Sequence, residues 1–586
     1  MRKILFFSFL GFFFCTQSNS QTIFTGVVKD SLTNEPIPFV SIAYENTSRG
    51  TVTNAQGEFR CSIDTTQSRF ILFSCIGYDK LRVPASRTSL ACLRMKPATV
   101  QLQEVVVLAG KRSWVIDLFV EAVKQSRRNK TTREAKSFLS LETMVDQTDP
   151  LEVMEAFYQC TSAPRKGVSG FELKNGRFGL SRTKDLWFIN KNPTEVVQKL
   201  YLFEGISTTL PNSPLSMNVK EMKKHFRFRM DTLVSSGSSA IAVVRFFPRE
   251  NFTELFSGRV FIDTATFQIK QVEISCQRSK NHPFHPIDPS HTISNVSLDF
   301  VVKFKEIAPG QVVHDFIRFK YELEYKTARQ TYAISSNCFL LFYDFDDHFV
   351  LPYFIGSPEA NDYGKILSMP YNPTFWKRNY IIPVTQSSLD KTNYFLQNGL
   401  CVNYKESTTL NSILPQPKLY WSPEIRLDWS KIKKENPGWI VFAESKKKKK
   451  STDEVISTNY FLDYQVFLDF NPEHDTCYWQ SKSMLFLNNS FYGVSRDSLA
   501  LKALELEFDI TELYRLRLEH RLDSALAYEC NPSTVLRIYD KLVKDFDGMR
   551  WLYRKEVKRG QNQLAYETWR KRIDLRLKRA SEVIRK

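Results

Sequence analysis

From Lys136 to about Asp346 the chain alternates apolar and polar positions with a period of two, the pattern of long, half-buried strands. The clearest case is Val296, Leu298, Phe300, Val302 and Phe304, followed by a Pro309-Gly310 turn and a return run of Phe319, Tyr321, Leu323 and Tyr325. That pair predicts an antiparallel hairpin. "SGRVFIDTATFQIKQVEISC" predicts a second, with its turn at Asp263 to Thr266 and a bulge where the alternation slips between Ile269 and Val272. Two stretches, one before this region and one within it, read as helices instead. "SWVIDLFVEAVKQSRRN" from Ser113 sets Ile116, Phe119, Val120 and Val123 on one helical face, and "PTEVVQKLYLF" from Pro193 predicts a helix with proline in its first turn.

Before residue 100 the strands are shorter. Val27 opens one, "DSLTNEPI" is a turn cluster, and Val40, Ile42 and Tyr44 alternate. In "RGTVTNAQGEF" Gly50 frees the backbone, Thr51 to Thr53 form a short strand, and Asn54 to Gly57 turn the chain so that Phe59, Cys61 and Ile63 re-enter the core. "RFILFSCIGYDKLRV" adds a strand pair bent at Gly77. Six or seven strands at this spacing predict a β-sandwich of about 75 residues.

The last third changes character twice. Between Pro415 and Ala500, "KLYWSPEIRLDWSKI", "TNYFLDYQVFLDFN" and "CYWQSKSMLFLNNSFYGV" read as strands, with "ESKKKKKSTDE" as a solvated loop. Three or four strands cannot close a membrane barrel, which needs at least about eight, so a small sheet is expected. After "LELEFDITELYRLRLEHRL" the pattern is helical to the end. Asn531-Pro532 caps a helix whose face is Val535, Tyr539, Leu542 and Phe546, and Gly548 is expected to interrupt it. A final helix carries Tyr566, Trp569, Ile573, Leu577, Ala580 and Ile584 on one side and Arg570, Lys571, Arg572, Lys578 and Arg579 mostly on the other. It can pack on its own domain or lie at a membrane surface.

Charge and the leader fix the setting. "MRKILFFSFLGFFFCTQSNS" has a basic start, an apolar run too short to span a bilayer and a small polar exit, as in a cleaved signal peptide. Phe14 ahead of Cys15 argues against lipid attachment, which wants a small residue there. The net charge is +18, and the last 36 residues carry twelve Lys or Arg against four acids. In an exported protein that excess suits an anionic membrane surface or an acidic partner, not nucleic acid. Nine cysteines follow the leader, scattered and without CxxC spacing, which reads as buried small side chains with at most one or two bridges; Cys61, Cys75 and Cys92 lie close enough in sequence for one pair.

The N-terminal segment resembles the carboxypeptidase-regulatory-like domain, a transthyretin-like β-sandwich. Gly26, Asp30, Pro36, Pro38, Val40, Gly50-Thr51, Thr53-Asn54, Gly57-Glu58-Phe59 and Ser74-Cys75-Ile76-Gly77-Tyr78 carry the likeness, with Asn54 where the family usually has Asp. "LQEVVV" (Leu102 to Val107) resembles the strand that ends this module in outer-membrane proteins, including TonB-dependent receptors. The zinc peptidase chemistry behind the family's name finds no ligands: no histidine is followed three residues later by Glu, and HExxH is absent. The middle resembles the lipoprotein-carrier (LolA-like) half-barrel, and more closely an envelope family that joins the two parts. "TLPNSPLSM" (Thr209 to Met217), "FSGRVFIDTATFQI" (Phe256 to Ile269) and "MPYNPTFWKRNYIIP" (Met369 to Pro383) carry it, with Phe375-Trp376 as a docking anchor and Asp362-Tyr363 upstream. Longer relatives end in an outer-membrane barrel, which the helical end here does not match. The half-barrel implies a concavity that either holds an acyl chain or is filled by helix side chains.

These readings give an α+β, mainly β chain. The expected order is a signal peptide (1–20), the sandwich (21–96), a linker strand (97–112), a LolA-like antiparallel domain (113–346), a connector (347–414) and a C-terminal sheet with a helical tail (415–586). "HPFHPIDPSH" holds His282, His285 and His291 without a catalytic carboxylate pair, and "DFDDH" lacks the turn glycine and ligand number of a calcium loop. With no phosphate loop, GxSxG or CxxC, no catalytic, cofactor or metal residue is assigned. The interaction candidates are Trp569, Arg570, Lys571, Arg572, Lys578, Arg579, Phe375 and Trp376. The expected role is a non-catalytic binding or scaffold protein of the Gram-negative envelope, periplasmic or on the periplasmic face of the outer membrane, acting on protein partners. The alternatives are a carrier or sensor of lipid or lipoprotein, and an unrecognised hydrolase.

Overall fold

The short N-terminal strands sort into two layers. In the computed structural model they are β1 (Thr22–Asp30), β2 (Ser41–Tyr44), β3 (Gly50–Val52), β4 (Glu58–Ile63), β5 (Phe70–Ser74), β6 (Leu81–Pro84) and β7 (Cys92–Met95). One sheet runs β4-β1-β7 and the other β3-β2-β5-β6, closing over Phe24, Val28, Val40, Ile42, Phe59, Ile71 and Phe73. Asn54 shows why the turn between β3 and β4 is tight: its side-chain oxygen accepts from the backbone N–H of Gln56 and of Glu58, both at 2.9 Å. Gly57 follows at φ +70, where a Cβ would sit 2.7 Å from the Val28 carbonyl oxygen, so only glycine fits. Asp30 organises the opposite corner. It accepts from the N–H of Leu32 (2.7 Å) and Thr33 (3.0 Å) and from the Tyr78 hydroxyl (2.9 Å), which holds its carboxyl below the usual value, chiefly through the Thr33 and Leu32 amides.

The structure describes residues 22–47, 49–63, 68–85, 92–98, 114–181, 192–236, 239–250, 253–286, 288–345, 347–356, 361–379, 381–382, 386–404, 418–432, 460–473, 476–492, 498–527 and 530–584. The expected leader, the "LQEVVV" strand and the lysine run lie outside them. The chain divides into two compact units: residues 1–101 with 234–238 and 381–383, and the remainder.

The second unit is built on one antiparallel sheet. Its strands are β8 (Arg133–Val145), β9 (Asp149–Ala163), β10 (Gly167–Ser181), β11 (Phe226–Ser236), β12 (Ser239–Pro248), β13 (Ser257–Asp263), β14 (Ile269–Cys276), β15 (Thr292–Ala308), β16 (Gln311–Lys326), β17 (Thr331–Tyr343) and β18 (Gly399–Val402). The order is β11-β12-β13-β14-β15-β16-β17-β8-β9-β10-β18, eleven strands in all. Both predicted hairpins are present. Phe300 faces Phe319 across β15 and β16, and the expected bulge lies in β14, where Phe261 pairs with Gln271 but Ile262 pairs with Ile269. Helices α1 (Trp114–Arg128), α2 (Pro193–Gln198), α3 (Val219–His225), α4 (Asp362–Ser368), α5 (Pro373–Arg378) and α6 (Gln386–Asn398) accompany the sheet. The segment expected as a connector thus adds an edge strand, β18, paired with β10. Four residues inside an aromatic and polar stretch carry too little alternation to announce a strand.

Three strands, β19 (Lys418–Tyr420), β20 (Tyr460–Glu473) and β21 (Thr476–Tyr492), make the small C-terminal sheet in the order β19-β21-β20. Three helices follow, α7 (Ser498–Leu526), α8 (Pro532–Val557) and α9 (Gln563–Ile584); α7 and α8 pack on the sheet and α9 packs on those two helices. "LELEFDITELYRLRLEHRL" lies wholly inside α7, whose faces are buried nearly all round, which explains its weak periodicity. Gly548 does not interrupt α8. A mid-helix glycine costs about 1 kcal/mol, and the burial of Phe546 and Tyr553 on either side outweighs that. Among the described residues no helix is long and apolar enough to cross a membrane, which says nothing of a β-barrel.

Candidate interaction surface

The large sheet packs its helix-bearing face solidly. Phe119 of α1 lies 4.8 Å from Phe228 and 6.1 Å from Phe246 between ring centres, and Phe256 meets Phe300 at 5.9 Å. One hydrophobic cluster runs from α1 across β8 to β18 and takes in Val196, Val197, Tyr363, Ile366 and Leu367 of α2 and α4. Two carboxylates are sealed within it. Glu152 accepts from the hydroxyls of Thr143 (2.7 Å) and Tyr363 (2.5 Å). Asp362 accepts from the Thr194 N–H (3.0 Å), the Thr194 hydroxyl (2.9 Å) and the Tyr158 hydroxyl (3.0 Å). Burial pushes the Asp362 carboxyl up, against the pull of those bonds. Both acids are 1% exposed, so they fasten α4 to the sheet and cannot meet a substrate. At the end of α1 a recess of about 350 Å³ is lined by Gln125, Arg128, Asn129, Lys130, Phe203 and Phe304, a mixed wall unlike an acyl chamber.

Phe375 and Trp376 sit on α5, whose start is fixed by Asn372: its side-chain oxygen accepts from the Phe375 N–H at 3.0 Å. Both rings pack on Phe157, at 5.1 and 5.3 Å, and the Trp376 indole donates to Asn175 at 2.7 Å. The Arg177 guanidinium lies 4.0 Å above Trp376 and pairs with Glu155. They are anchors within their own unit, buried and turned away from any outside partner. Beside them Lys174 and Asp469 form an ion pair at 2.5 Å, 1% and 0% exposed, that ties β10 to β20. Burial lowers the Lys174 ammonium, with Asp469 opposing the shift.

The basic helical end separates two kinds of cation. Arg550 and Arg554 of α8 both pair with Glu507 of α7, which is 2% exposed; burial raises its carboxyl, and Arg554 and Arg550 together hold it below the usual value. Arg515 pairs with Glu512 and Glu519, and Arg570 with Asp509 and Asp574. Trp569 faces inward, 3% exposed, stacked edge-on against Tyr553 at 5.4 Å, and donates to Glu556. So of the residues expected to face a partner, Trp569 and Arg570 serve to pack α9, because the apolar stripe that includes Ile573 must be buried. Lys571, Arg572, Lys578 and Arg579 do stand exposed, and among the described residues none of them pairs with a carboxylate. Arg517 of α7 and Arg576 of α9, which sequence reading passed over, join Arg572 there. Burial, then repulsion from Arg572 and Arg517, hold the Arg576 guanidinium below its usual value.

A second polar surface, an open groove of about 890 Å³, crosses β11 to β17. In it Arg229 and Arg245 pair with Asp231 and Arg259 with Glu273, which offsets the repulsion of Arg245 and Arg259 standing directly opposite in the ladder.

Several solved structures are similar to part of the chain. A LolA superfamily protein from Nitrosomonas europaea covers 38% of this chain and 91% of its own at 11% identity, with a TM-score of 0.17. A putative outer membrane lipoprotein-sorting protein domain from Vibrio parahaemolyticus covers 39% and 92% at 12% identity, TM-score 0.18. The Pseudomonas aeruginosa MucA/MucB complex covers 39% and 93% at 7% identity, TM-score 0.14. Scores this low fix neither role nor ligand. No curated protein matches the chain. The family model described as "CarboxypepD_reg-like domain" matches residues 24–107, the segment whose Asp30, Asn54 and Gly57 shape the sandwich turns. By that match the N-terminal segment is a CarboxypepD_reg-like domain.

Proposed function

We propose that this chain is an exported, non-catalytic binding or scaffold protein of the cell envelope, acting through protein contacts made by the sandwich and by the basic helical end. One observation carries the reading. Lys571, Arg572, Lys578 and Arg579 are exposed and, among the described residues, have no acidic partner, on a helix whose other side is locked to its own core. Cations left uncompensated on a rigid support steer and hold an acidic partner, with a strength that falls as salt rises. The filled interior of the sheet favours this reading over a lipid carrier. Removing residues 551–586 would strip Trp569 and Ile573 from the core, so charge substitution is the cleaner test. Full-length protein and a K571Q/K578Q/R579Q variant are used as bait in envelope extract at low and high salt. The reading expects partners retained at low salt by the wild type, released at high salt, and held less by the variant. Equal retention by both removes the helical end from the interaction.

A further inference from the structure

In the C-terminal helices Arg515, Arg521, Arg550, Arg554 and Arg570 pair with carboxylates. Among the described residues Arg517, Arg537, Arg572, Arg576 and Arg579 do not, and three of these come from two packed helices. Arg572 and Arg576 lie four residues apart on α9, hence on one face, and Arg517 comes from the neighbouring α7, which packs along α9. Among the described residues none of the three pairs with an acid. Two lean on aromatic rings one turn earlier in their own helices: Arg517 lies 4.8 Å from the centre of Tyr514, and Arg572 5.3 Å from Trp569. Both rings are themselves fixed, Tyr514 against Phe546 and Trp569 against Tyr553.

We propose that Arg517, Arg572 and Arg576 form a binding site for a phosphate-type oxyanion, the group shared by free phosphate and an anionic lipid headgroup. Stacking restrains the guanidinium planes before the ligand arrives, so less side-chain freedom is lost on binding. Three guanidinium groups from two packed helices suit a tetrahedral dianion, which has an oxygen for each, whereas one carboxylate takes two, as Glu507 does with Arg550 and Arg554. Mutual repulsion among the three is relieved when such an anion binds. Leu575, 51% exposed, and Lys571 lie beside the cluster on α9 and would meet the rest of a lipid. The inference does not depend on the protein-partner reading above.

The test uses the full-length protein and three variants: R572Q/R576Q, R517Q, and K544Q on α8, which removes one charge as R517Q does and serves as its control. Inorganic phosphate is titrated by calorimetry, and phosphatidylcholine vesicles with and without phosphatidylglycerol are tested by co-flotation, with polyglutamate as a competing acidic chain. The proposal expects phosphate or phosphatidylglycerol vesicles to bind, at least about tenfold more weakly to the arginine variants, the size of one lost charge-assisted pair. K544Q should bind as the wild type does. Phosphate binding assigns a soluble ligand, and vesicle binding alone assigns the headgroup. No binding of either, equal binding by R572Q/R576Q, an equal loss in K544Q, or stronger arginine-dependent binding of polyglutamate overturns the proposal. Separate retention of envelope proteins by R572Q/R576Q bears only on the protein-contact reading.

Discussion

Trp569 donates its indole N–H to Glu556 at 2.7 Å, so the last helix of the chain is hung from the helix before it. The bond joins a side chain 3% exposed on α9 to the final turns of α8. Truncating Trp569 should therefore destabilise the helical end as a core substitution does. Trp569→Ala is expected to lower stability by about 3–5 kcal/mol, and Trp569→Phe, which keeps a ring but loses the donor, by less. Denaturant unfolding of the full chain measures both. Equal, small effects would mean that α9 is not packed as described.

Lys174 and Asp469 make the second load on the fold. Asp469 also accepts from the Asn372 side-chain amide at 2.7 Å, and Lys174 donates to the Val350 carbonyl at 2.6 Å. Removing one charge leaves the other buried and unpaired. Asp469→Asn and Lys174→Met should each cost about 3–5 kcal/mol, and the double variant less than their sum. A double-mutant cycle on unfolding free energies reads the coupling directly; strict additivity would contradict it.

How much of this was legible in the sequence depends on the range of the interaction. Val296 to Phe304 and Phe319 to Tyr325 announced their hairpin because a period of two is local, and Asn54 with Gly57 announced a turn for the same reason. Lys174 and Asp469 are 295 residues apart and leave no local trace. Arg570 and Arg572 look alike in the sequence. Only folding brings Asp509 to the first, while among the described residues the second meets no carboxylate. Arg517 was hidden more deeply, inside a helix buried on most sides, where amphipathic periodicity fades.

Lys418 gives a pH signature. Its ammonium is buried, donates to the carbonyls of Leu367 and Met369, and is pulled down to about 7 by burial. An unfolded lysine holds its proton to about pH 10.4, so between those values the unfolded chain binds more protons than the folded one. Stability should then rise with pH from 7 toward 9, as far as this group sets it. Lys418→Met should flatten the rise. Unfolding free energies measured across that range check the sign, and a wild type that loses stability there with an unchanged slope in the variant would contradict it.

Cys530 lies against Cys477, and burial followed by that neighbour pushes its thiol up to about 12. Both are free thiols in this structure. If the leader exports the chain to an oxidising compartment, a disulfide oxidant can take two electrons and two protons from the pair and join them. A bridge over that span is worth about 4 kcal/mol. Thiol titration of denatured protein from envelopes should find two fewer than the nine cysteines that follow the leader. Nine free thiols would rule the bridge out.

The covered face of the large sheet is filled, which leaves binding to the surface. Native mass spectrometry of full-length protein taken from envelopes in low salt tests this most directly. The expected spectrum shows the polypeptide without acyl adducts, together with a protein-bound species that dissociates as salt is raised. A stoichiometric acyl adduct that survives high salt would contradict it.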